Sequence, residues 1–238
     1  MSAATPLRLA CLDAEAPPLF TLWSAEHGRL GFEPAVAGIL AAELGRPVEW
    51  VRVPWDRMIP AVQAHAADAV LCGQGITPAR QAQVDFTRPY AVFHEGVLVR
   101  RGSGIASAQD LAGRRVAAID GSTNMALAET FDGAVLVGFG SDGSDDVYAD
   151  MLAALEAGDV DAVVDDDVVF VPLGENDPRF QLAFTVRTGN RWGIGVAKDR
   201  PELHAELDAA LARVIEDGRH RAAWDEWLPS LDYPFGEA

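Results

Sequence analysis

The sequence has few cysteines, few basic residues and no long apolar run, and each shortage excludes a class of protein. Its two cysteines, Cys11 and Cys72, are too few for a disulfide scaffold and too widely separated for a thiolate metal site. The 238 residues carry 19 basic and 36 acidic side chains, a net charge of −17. This charge argues against nucleic acid and against an anionic membrane surface as partners. Because no apolar run reaches about 18 residues, no transmembrane helix is predicted.

The first residues also lack the charged and apolar regions that make up a secretory signal. Either the protein stays in the cytoplasm or the sequence begins at the mature start, and the N-terminal pattern does not separate the two. Apolar residues, in contrast, are abundant: 49% of the chain is hydrophobic, which is enough to bury a core. The length predicts one large domain or two small ones.

Apolar periodicity predicts two successive sets of alternating strands and helices. The first set consists of strands 7–12, 48–53 and 68–72 and helices 32–44 and 55–66. The second consists of strands 116–119, 134–137 and 161–164, a helix after Gly121 through about residue 131, and a helix over 145–157, followed by a final amphipathic helix, 201–215. This alternation predicts parallel sheets with right-handed crossovers.

The two sets share an internal repeat. Residues 61–71 match residues 154–164 at a constant offset of 93, and both copies read as a helix end, a tight turn and a buried strand. We interpret the match as a duplication that produces two similar α/β lobes. In such folds ligands bind beyond the carboxyl ends of the parallel strands, where Asp13, 73–80, 121–124 and 165–167 follow predicted strands.

Three patterns that suggest other chemistry are weak. Gly138–Gly143 fits G-x-G-x-x-G, but Asp142, Asp145 and Asp146 crowd the place where a pyrophosphate would lie. The run Asp165–Asp167 could coordinate a hard cation, yet successive side chains of an extended segment point to opposite faces. The five histidines show no paired ligand spacing. We therefore predict no cofactor and no metal.

Arg80 lies in a turn just after a predicted strand, within Gly73-Gln74-Gly75-Ile76-Thr77-Pro78-Ala79-Arg80. A guanidinium in that place offers a two-pronged donor to a carboxylate, although an isolated arginine in a loop is more often a surface residue. The stretch continues into Asp85-Phe86-Thr87-Arg88-Pro89-Tyr90.

This stretch resembles the extracytoplasmic solute-binding proteins of polar amino-acid ABC transporters, in which T-x-x-R leads into D-F-(S/T)-x-P-Y. The resemblance runs nearly end to end. Besides this stretch, the matching segments are Gly31-Phe32-Glu33, 55–61, Asp110-Leu111-Ala112-Gly113, 192–198 and Trp224-Asp225-Glu226-Trp227-Leu228.

The resemblance implies a two-lobed type II periplasmic-binding-protein fold, an α/β fold with parallel-rich sheets, flanking helices and a hinge. The expected lobes are 1–93 with 191–238, and 94–190. A ligand in the cleft between them would be enclosed by hinge closure, the behaviour known for periplasmic binding proteins.

The same resemblance implies which residues bind the ligand. Arg80 would hold the α-carboxylate, with further donors from Ser122, Thr123 and the Gly75 N–H. Asp166 would take the α-ammonium, helped by the Gly73 carbonyl; Trp55 would form a wall, and Asp13 would meet the ligand side chain. The family commonly has an aromatic residue where Ala16 stands, so that second wall is missing or comes from Phe20 or Trp23.

We therefore expect a monomeric protein, periplasmic or at the cell surface with its signal removed, that binds a small zwitterion such as an amino acid for an ABC permease. An alternative is an enzyme similar to cyclohexadienyl dehydratases, with Asp166 or Glu15 as the acid. A third is the ligand-sensing domain of a signalling receptor. The sequence leaves the ligand, and any bridge between Cys11 and Cys72, open.

Overall fold

The computed structural model describes residues 4–140 and 146–236, and the chain divides into two compact units. Unit 1 contains the chain up to Asp13, Pro17–Val92, and the chain from Arg191 onward. Unit 2 contains Ala14–Ala16 and Phe93–Asn190.

Eight strands and eight α-helices are present in the described residues. The strands are β1 (Leu7–Cys11), β2 (Val48–Arg52), β3 (Ala69–Val70), β4 (Val84–Arg100), β5 (Arg115–Ile119), β6 (Val135–Phe139), β7 (Ala162–Asp166) and β8 (Phe180–Ala197). The helices are α1 (Phe32–Glu43), α2 (Met58–Gln63), α3 (Pro78–Gln81), α4 (Thr123–Ala128), α5 (Val147–Ala157), α6 (Asp167–Asn176), α7 (Pro201–Glu216) and α8 (Arg219–Trp227). None of these helices is long and apolar enough to cross a bilayer.

The strand order in unit 1 is β2-β1-β3-β8. Strand β1 runs parallel to β2 and β3, because helices return the chain to the same edge, whereas β8 is antiparallel to β3. The parallel pairs agree with the predicted alternation. The antiparallel strand was not predicted, and it makes the sheet mixed.

The order in unit 2 is β4-β7-β5-β6. Strand β5 is parallel to β6 and β7, and β4 pairs with β7 in the antiparallel direction. Strand β7 is longer than predicted, because Asp165 and Asp166 belong to it and α6 begins at Asp167. The acidic run therefore lies partly inside a buried strand rather than wholly beyond its end.

Helix α1 anchors the core of unit 1. Phe32 is fully buried, and its ring meets Trp224 and His220 edge to face, with centroids 5.3 and 5.7 Å apart. Gly31 precedes the helix with φ of 129°, and a Cβ there would lie 2.4 Å from the Leu19 carbonyl oxygen. Only glycine fits this close approach.

The two repeat copies have equivalent turns. Gly158 ends α5 with φ of 84°, and His65, 93 positions earlier, has φ of 57° after α2. Each residue occupies the left-handed conformation that commonly ends a helix before a strand. The G-x-G-x-x-G pattern has no equivalent support, since Gly138 lies inside β6 rather than after it. Positions 141–143 of that pattern, including Asp142, and the neighbouring Asp145 lie outside the described residues.

Both cysteines are buried and free. Cys11 ends β1, and the Sγ atom of Cys72 accepts a hydrogen bond from the Leu12 N–H at 3.4 Å. Burial raises the pKa of the Cys11 thiol to about 11 and that of Cys72 well above its usual value. In this structure the two thiols form no disulfide, and both are held protonated.

Candidate functional site

The carboxyl ends of β1, β2 and β3 share one edge of the unit 1 sheet, because these strands are parallel. Asp13 follows β1 by two residues, Arg52 is the last residue of β2, and Gly73 follows β3 by three. Loops at such an edge are the usual place for ligand-binding groups in α/β folds.

Arg80 is a buried cation near this edge. Its backbone is positioned by Thr77, the residue before α3, whose hydroxyl caps the helix by accepting from the Arg80 N–H at 3.3 Å. The guanidinium donates to the Gly75 carbonyl at 3.1 Å and lies 5.3 Å from the centre of the Trp55 ring. Only 8% of Arg80 is exposed. The structure thus brings Arg80, Gly75 and Trp55 together.

The segment Gly73–Ile76 is held on both sides. The Gly73 N–H donates to the Glu33 carboxylate at 2.7 Å, and glycine suits its φ of 59°. The neighbouring strand binds the other side, where the Ile76 N–H donates to the Arg191 carbonyl at 2.8 Å. Burial raises the pKa of Glu33, while hydrogen bonds from Tyr90 and Gly73 oppose that rise. Gly73 is therefore placed by a buried carboxylate at the strand end.

Asp13 is paired within unit 1. Its Oδ2 atom accepts from Nη1 of Arg52 at 3.0 Å, and the Arg52 guanidinium lies 5.9 Å from the centre of the Trp23 ring. The second oxygen, Oδ1, is enclosed and has no hydrogen-bond partner among the described residues. The residue predicted to meet a ligand side chain is thus already bound to a cation of its own unit.

In unit 2, the two predicted hydroxyl residues lie at the start of α4. The Ser122 hydroxyl caps the helix by accepting from the Met125 N–H at 3.0 Å. The Thr123 hydroxyl accepts from the Asn190 side-chain amide at 2.9 Å. The helix start also carries backbone N–H groups that favour an anion.

Four carboxyl groups cluster in unit 2: Glu95, Asp165, Asp166 and Asp167. The backbone register pairs Glu95 with Asp166 across β4 and β7. Asp165 is held by the Tyr148 hydroxyl at 3.0 Å and the Asp166 N–H at 2.8 Å. Asp166 is only 7% exposed, and its Oδ1 atom has no hydrogen-bond partner among the described residues.

Burial controls the protonation of this cluster. It raises the pKa of Asp166 well above its usual value, and the negative charges of Asp165, Glu95 and Asp167 add to the rise. Burial likewise raises the pKa of Asp165 to about 6 and that of Glu95 to about 7. Such a cluster can hold a proton or stabilise an organic cation. Across residues 4–140 and 146–236, no group of histidine, cysteine and acidic residues is arranged to hold a metal ion.

The sequence pattern of the bacterial extracellular solute-binding proteins, family 3, matches residues 9–230. This chain belongs to that family.

Several known proteins are similar to this chain along most of its length. The ABC transporter glutamine-binding protein GlnH of Bacillus subtilis (strain 168) is 28% identical over 88% of this chain and 77% of its own length. An ancestral arginine-binding protein bound to glutamine superposes with a TM-score of 0.84 at 28% identity, covering 95% of this chain and 99% of that one. The ancestral amino-acid-binding protein AncCDT-1, a precursor of cyclohexadienyl dehydratase, superposes with a TM-score of 0.80 at 28% identity, covering 93% and 95%.

These similarities confirm the family and the type II periplasmic-binding-protein fold that the motifs predicted. The residue roles stay predictions. Of the two aromatic residues considered for the second wall, Phe20 is buried beneath the Arg29 guanidinium, 4.5 Å from its ring, whereas Trp23 is 48% exposed. Glu15, one of the two acids considered for catalysis, is exposed, and the other, Asp166, is buried.

Sequence reasoning missed Glu95 and Arg52. A signal existed for Glu95, because it is an acidic residue two positions before the apolar run Val97-Leu98-Val99 of β4. Arg52 gave no local signal, since its pairing with Asp13 depends on the register of β1 and β2. Asn190, which binds Thr123, likewise depends on a contact between residues 67 positions apart.

Proposed function

We propose that this protein binds an amino acid and delivers it to an ABC transporter. The observation that carries the proposal is Arg80, a buried guanidinium held by the Gly75 carbonyl and the Trp55 ring at the strand-end edge of unit 1. An α-carboxylate matches the planar, two-pronged geometry of a guanidinium.

The second charge of an amino acid, its ammonium, is assigned to Asp166. In support, Asp166 is buried, lacks one hydrogen-bond partner and stands among three other carboxyl groups. An ammonium would neutralise part of that charge and donate to the unpaired oxygen. Ser122 and Thr123 at the start of α4 are proposed to donate hydrogen bonds to the ligand carboxylate, in addition to the N–H of Gly75.

The energies are sufficient for useful affinity. A hydrogen bond to a charged group contributes about 1.5–3 kcal/mol net. After the cost of ordering the ligand and the protein is subtracted, three or four such bonds support a free energy of binding of about −8 kcal/mol. This value corresponds to a Kd near micromolar.

The test is calorimetry of the folded protein against a panel of the common amino acids. We expect binding of at least one member, and loss of that binding in Arg80→Ala by roughly 10- to 100-fold or more. Arg57→Ala is the matched control, because Arg57 is exposed on the 3₁₀ turn that also contains Trp55. No binding to any member by folded protein would contradict the proposal.

Asp166 is tested in the same way. Asp166→Asn should weaken binding of the same amino acid by about tenfold or more, since it removes the charge that faces the ammonium. Asp159→Asn, an exposed position of the same unit, serves as its control. Equal affinity of Asp166→Asn and wild type would remove Asp166 from the site.

A dehydratase-like enzyme is the second candidate, favoured by the raised pKa of the Asp166 carboxyl. A buried protonated acid can donate its proton to a leaving hydroxyl, which departs as water while the substrate carboxylate leaves as carbon dioxide and the ring becomes aromatic. Incubation with prephenate or arogenate tests this. Aromatic product from wild type, and none from Asp166→Asn, would establish the enzyme; no product would exclude these two substrates.

We propose a periplasmic or cell-surface location and a permease as partner, on the strength of the family's description as bacterial extracellular proteins. We also propose that the protein acts as a monomer, which sedimentation at micromolar concentration would test.

A further inference from the structure

The four carboxyl groups buried together in unit 2, called here the acidic cluster, are Glu95, Asp165, Asp166 and Asp167. Glu95 is the register partner of Asp166 across β4 and β7, and the other two acids flank Asp166 along the chain. Four carboxylates that are shielded from water at such short range repel one another strongly. The cluster therefore needs either cations or protons to be stable.

The hydrogen-bond donors around the acidic cluster are neutral. The Tyr148 hydroxyl, from α5, donates to Asp165 at 3.0 Å, and the Asn124 side chain, from α4, lies beside the same carboxyl group. The Thr188 hydroxyl, from β8, donates to Glu95. These groups satisfy some of the carboxyl oxygens, but they bring no positive charge.

The charged groups on the surrounding elements do not neutralise the cluster either. Arg100 of β4 and Arg115 of β5 pair with Asp161, at the opposite end of β7. The Nδ1 atom of the His94 ring accepts from a backbone N–H at 3.0 Å, so the ring is neutral, and Arg187 of β8 is exposed. Helices α5 and α6 contribute only acidic charges.

A proton resolves this imbalance. Oδ2 of Asp165 and Oδ1 of Asp166 are both enclosed, and neither has a hydrogen-bond partner among the described residues. The two side chains are close enough to share a hydrogen bond, but an ionised carboxylate can only accept. A proton on either side chain supplies the missing donor and removes one negative charge. The raised pKa values of Asp166 and Glu95 agree with a cluster that stays partly protonated near neutral pH.

An ammonium that arrives at Asp166 competes with this proton. A positive charge nearby favours the ionised form of every carboxyl group in the cluster. Because the effect is electrostatic, it does not require contact with the enclosed oxygens. The ammonium keeps its own protons, so the proton that leaves comes from a carboxyl group and passes to water. The cluster then gains one negative charge as the ligand brings one positive charge.

We propose that binding of an amino-acid ammonium at Asp166 expels a proton from the acidic cluster, so that binding strengthens as the pH rises. The inference rests on the proposed function, since it concerns the same ligand group. Glu95 and Asp165 act here as positioning residues, because they set the protonation of Asp166 without a contact to the ligand of their own.

The experiment is calorimetry of the folded wild-type protein with the common amino acids as probes. The tightest binder whose side chain does not titrate near neutral pH is then titrated at about pH 6.5 in phosphate, PIPES and Bis-Tris, which differ in their enthalpy of protonation. A released proton is taken up by the buffer, so binding should be most exothermic in Bis-Tris. If one proton leaves for each ligand bound, the affinity should rise by up to about tenfold per pH unit between about pH 5.5 and 7.

Two variants identify the source of the proton. Asp165→Asn keeps an acceptor for Tyr148 and gives Asp166 a permanent N–H donor in place of the shared proton. Glu95→Gln removes the acid that lies opposite Asp166. Each variant should release less proton than wild type and show a flatter dependence of affinity on pH, and the double variant should release almost none. Loss of folding alone would not produce this pattern in protein that still binds.

Glu175→Gln is the matched control, because Glu175 is an exposed acid on α6, and it should release as much proton as wild type. Equal enthalpies in the three buffers, with an affinity that does not change with pH, would overturn the inference while amino-acid binding stands. Undiminished release in the double variant would overturn it too, because the proton would then come from another group. If no amino acid binds to the folded wild type, the proposed function fails and this inference fails with it.

Discussion

Glu95 makes a sharp prediction about stability and pH. It is 1% exposed in β4, bonded to the Thr188 hydroxyl and paired in register with Asp166. Replacing it by glutamine preserves its size and its ability to accept from Thr188, and removes its ability to ionise. The substitution therefore isolates the cost of holding a buried carboxylate.

The direction of the pH effect on stability follows from the raised pKa of Glu95. Burial raises the pKa of Glu95 from 4.5 to about 7, so the folded protein keeps the proton over a range in which the unfolded chain releases it. The contribution of protonated Glu95 to the free energy of unfolding is fully present below about pH 4.5 and is lost as the pH rises to about 7. The difference between the two pKa values corresponds to about 3 kcal/mol.

Glu95→Gln should therefore match wild type near pH 4.5 and exceed its free energy of unfolding by up to about 3 kcal/mol above pH 7. His220 changes stability in the opposite sense, because burial lowers its pKa to about 4, but it is present in both proteins and cancels in the difference. Removing the Glu95 charge also relieves Asp166, which acts in the same direction.

Urea unfolding, followed by circular dichroism at several pH values across this range, measures the difference. Glu129→Gln, an exposed glutamate in the same unit, is the control and should leave the pH dependence unchanged. If the free energies of unfolding of Glu95→Gln and wild type change with pH in parallel, the reasoning is refuted. That result would mean that Glu95 ionises in the folded protein as easily as in the unfolded one.

Four further substitutions probe packing and backbone geometry, each by urea unfolding. Phe32→Ala should cost about 3–5 kcal/mol, since it empties the centre of an aromatic cluster; a cost below 1 kcal/mol would show that the site collapses freely. Gly31→Ala should destabilise strongly, as its Cβ would collide with the Leu19 backbone, whereas Gly28→Ala, with open space around it, should cost only about 1–2 kcal/mol. Ser122→Ala removes the cap of α4 and should cost about 1 kcal/mol; no loss would mean that water replaces the cap.

Much of the fold could be predicted, because the parallel strands and their crossover helices carry clear apolar periods. The repeat was also informative, and the matching turns at His65 and Gly158 are consistent with it. The two longest strands, β4 and β8, could not be predicted whole. Each mixes buried and exposed stretches over 17 or 18 residues, so neither shows one constant alternation.

The candidate site was predictable only in part, because some of its features are local in sequence and others depend on strand pairing. Arg80 could be singled out because a turn motif and a strand end are local features of the sequence. The sequence pattern places the acidic run after residue 164 beyond a strand end, yet Asp165 and Asp166 belong to β7 and unit 2 buries all three carboxyl groups, although burying them is costly. The pairing of Asp13 with Arg52 depends on strand register and has no local signature.

The two inaccessible thiols make the protein a convenient substrate for fluorescent labelling. Thiolates attack maleimide reagents, and Cys11 and Cys72 are both buried and held as unreactive thiols. A cysteine introduced at an exposed position, such as Glu129, would therefore carry the dye alone, without removal of the native pair.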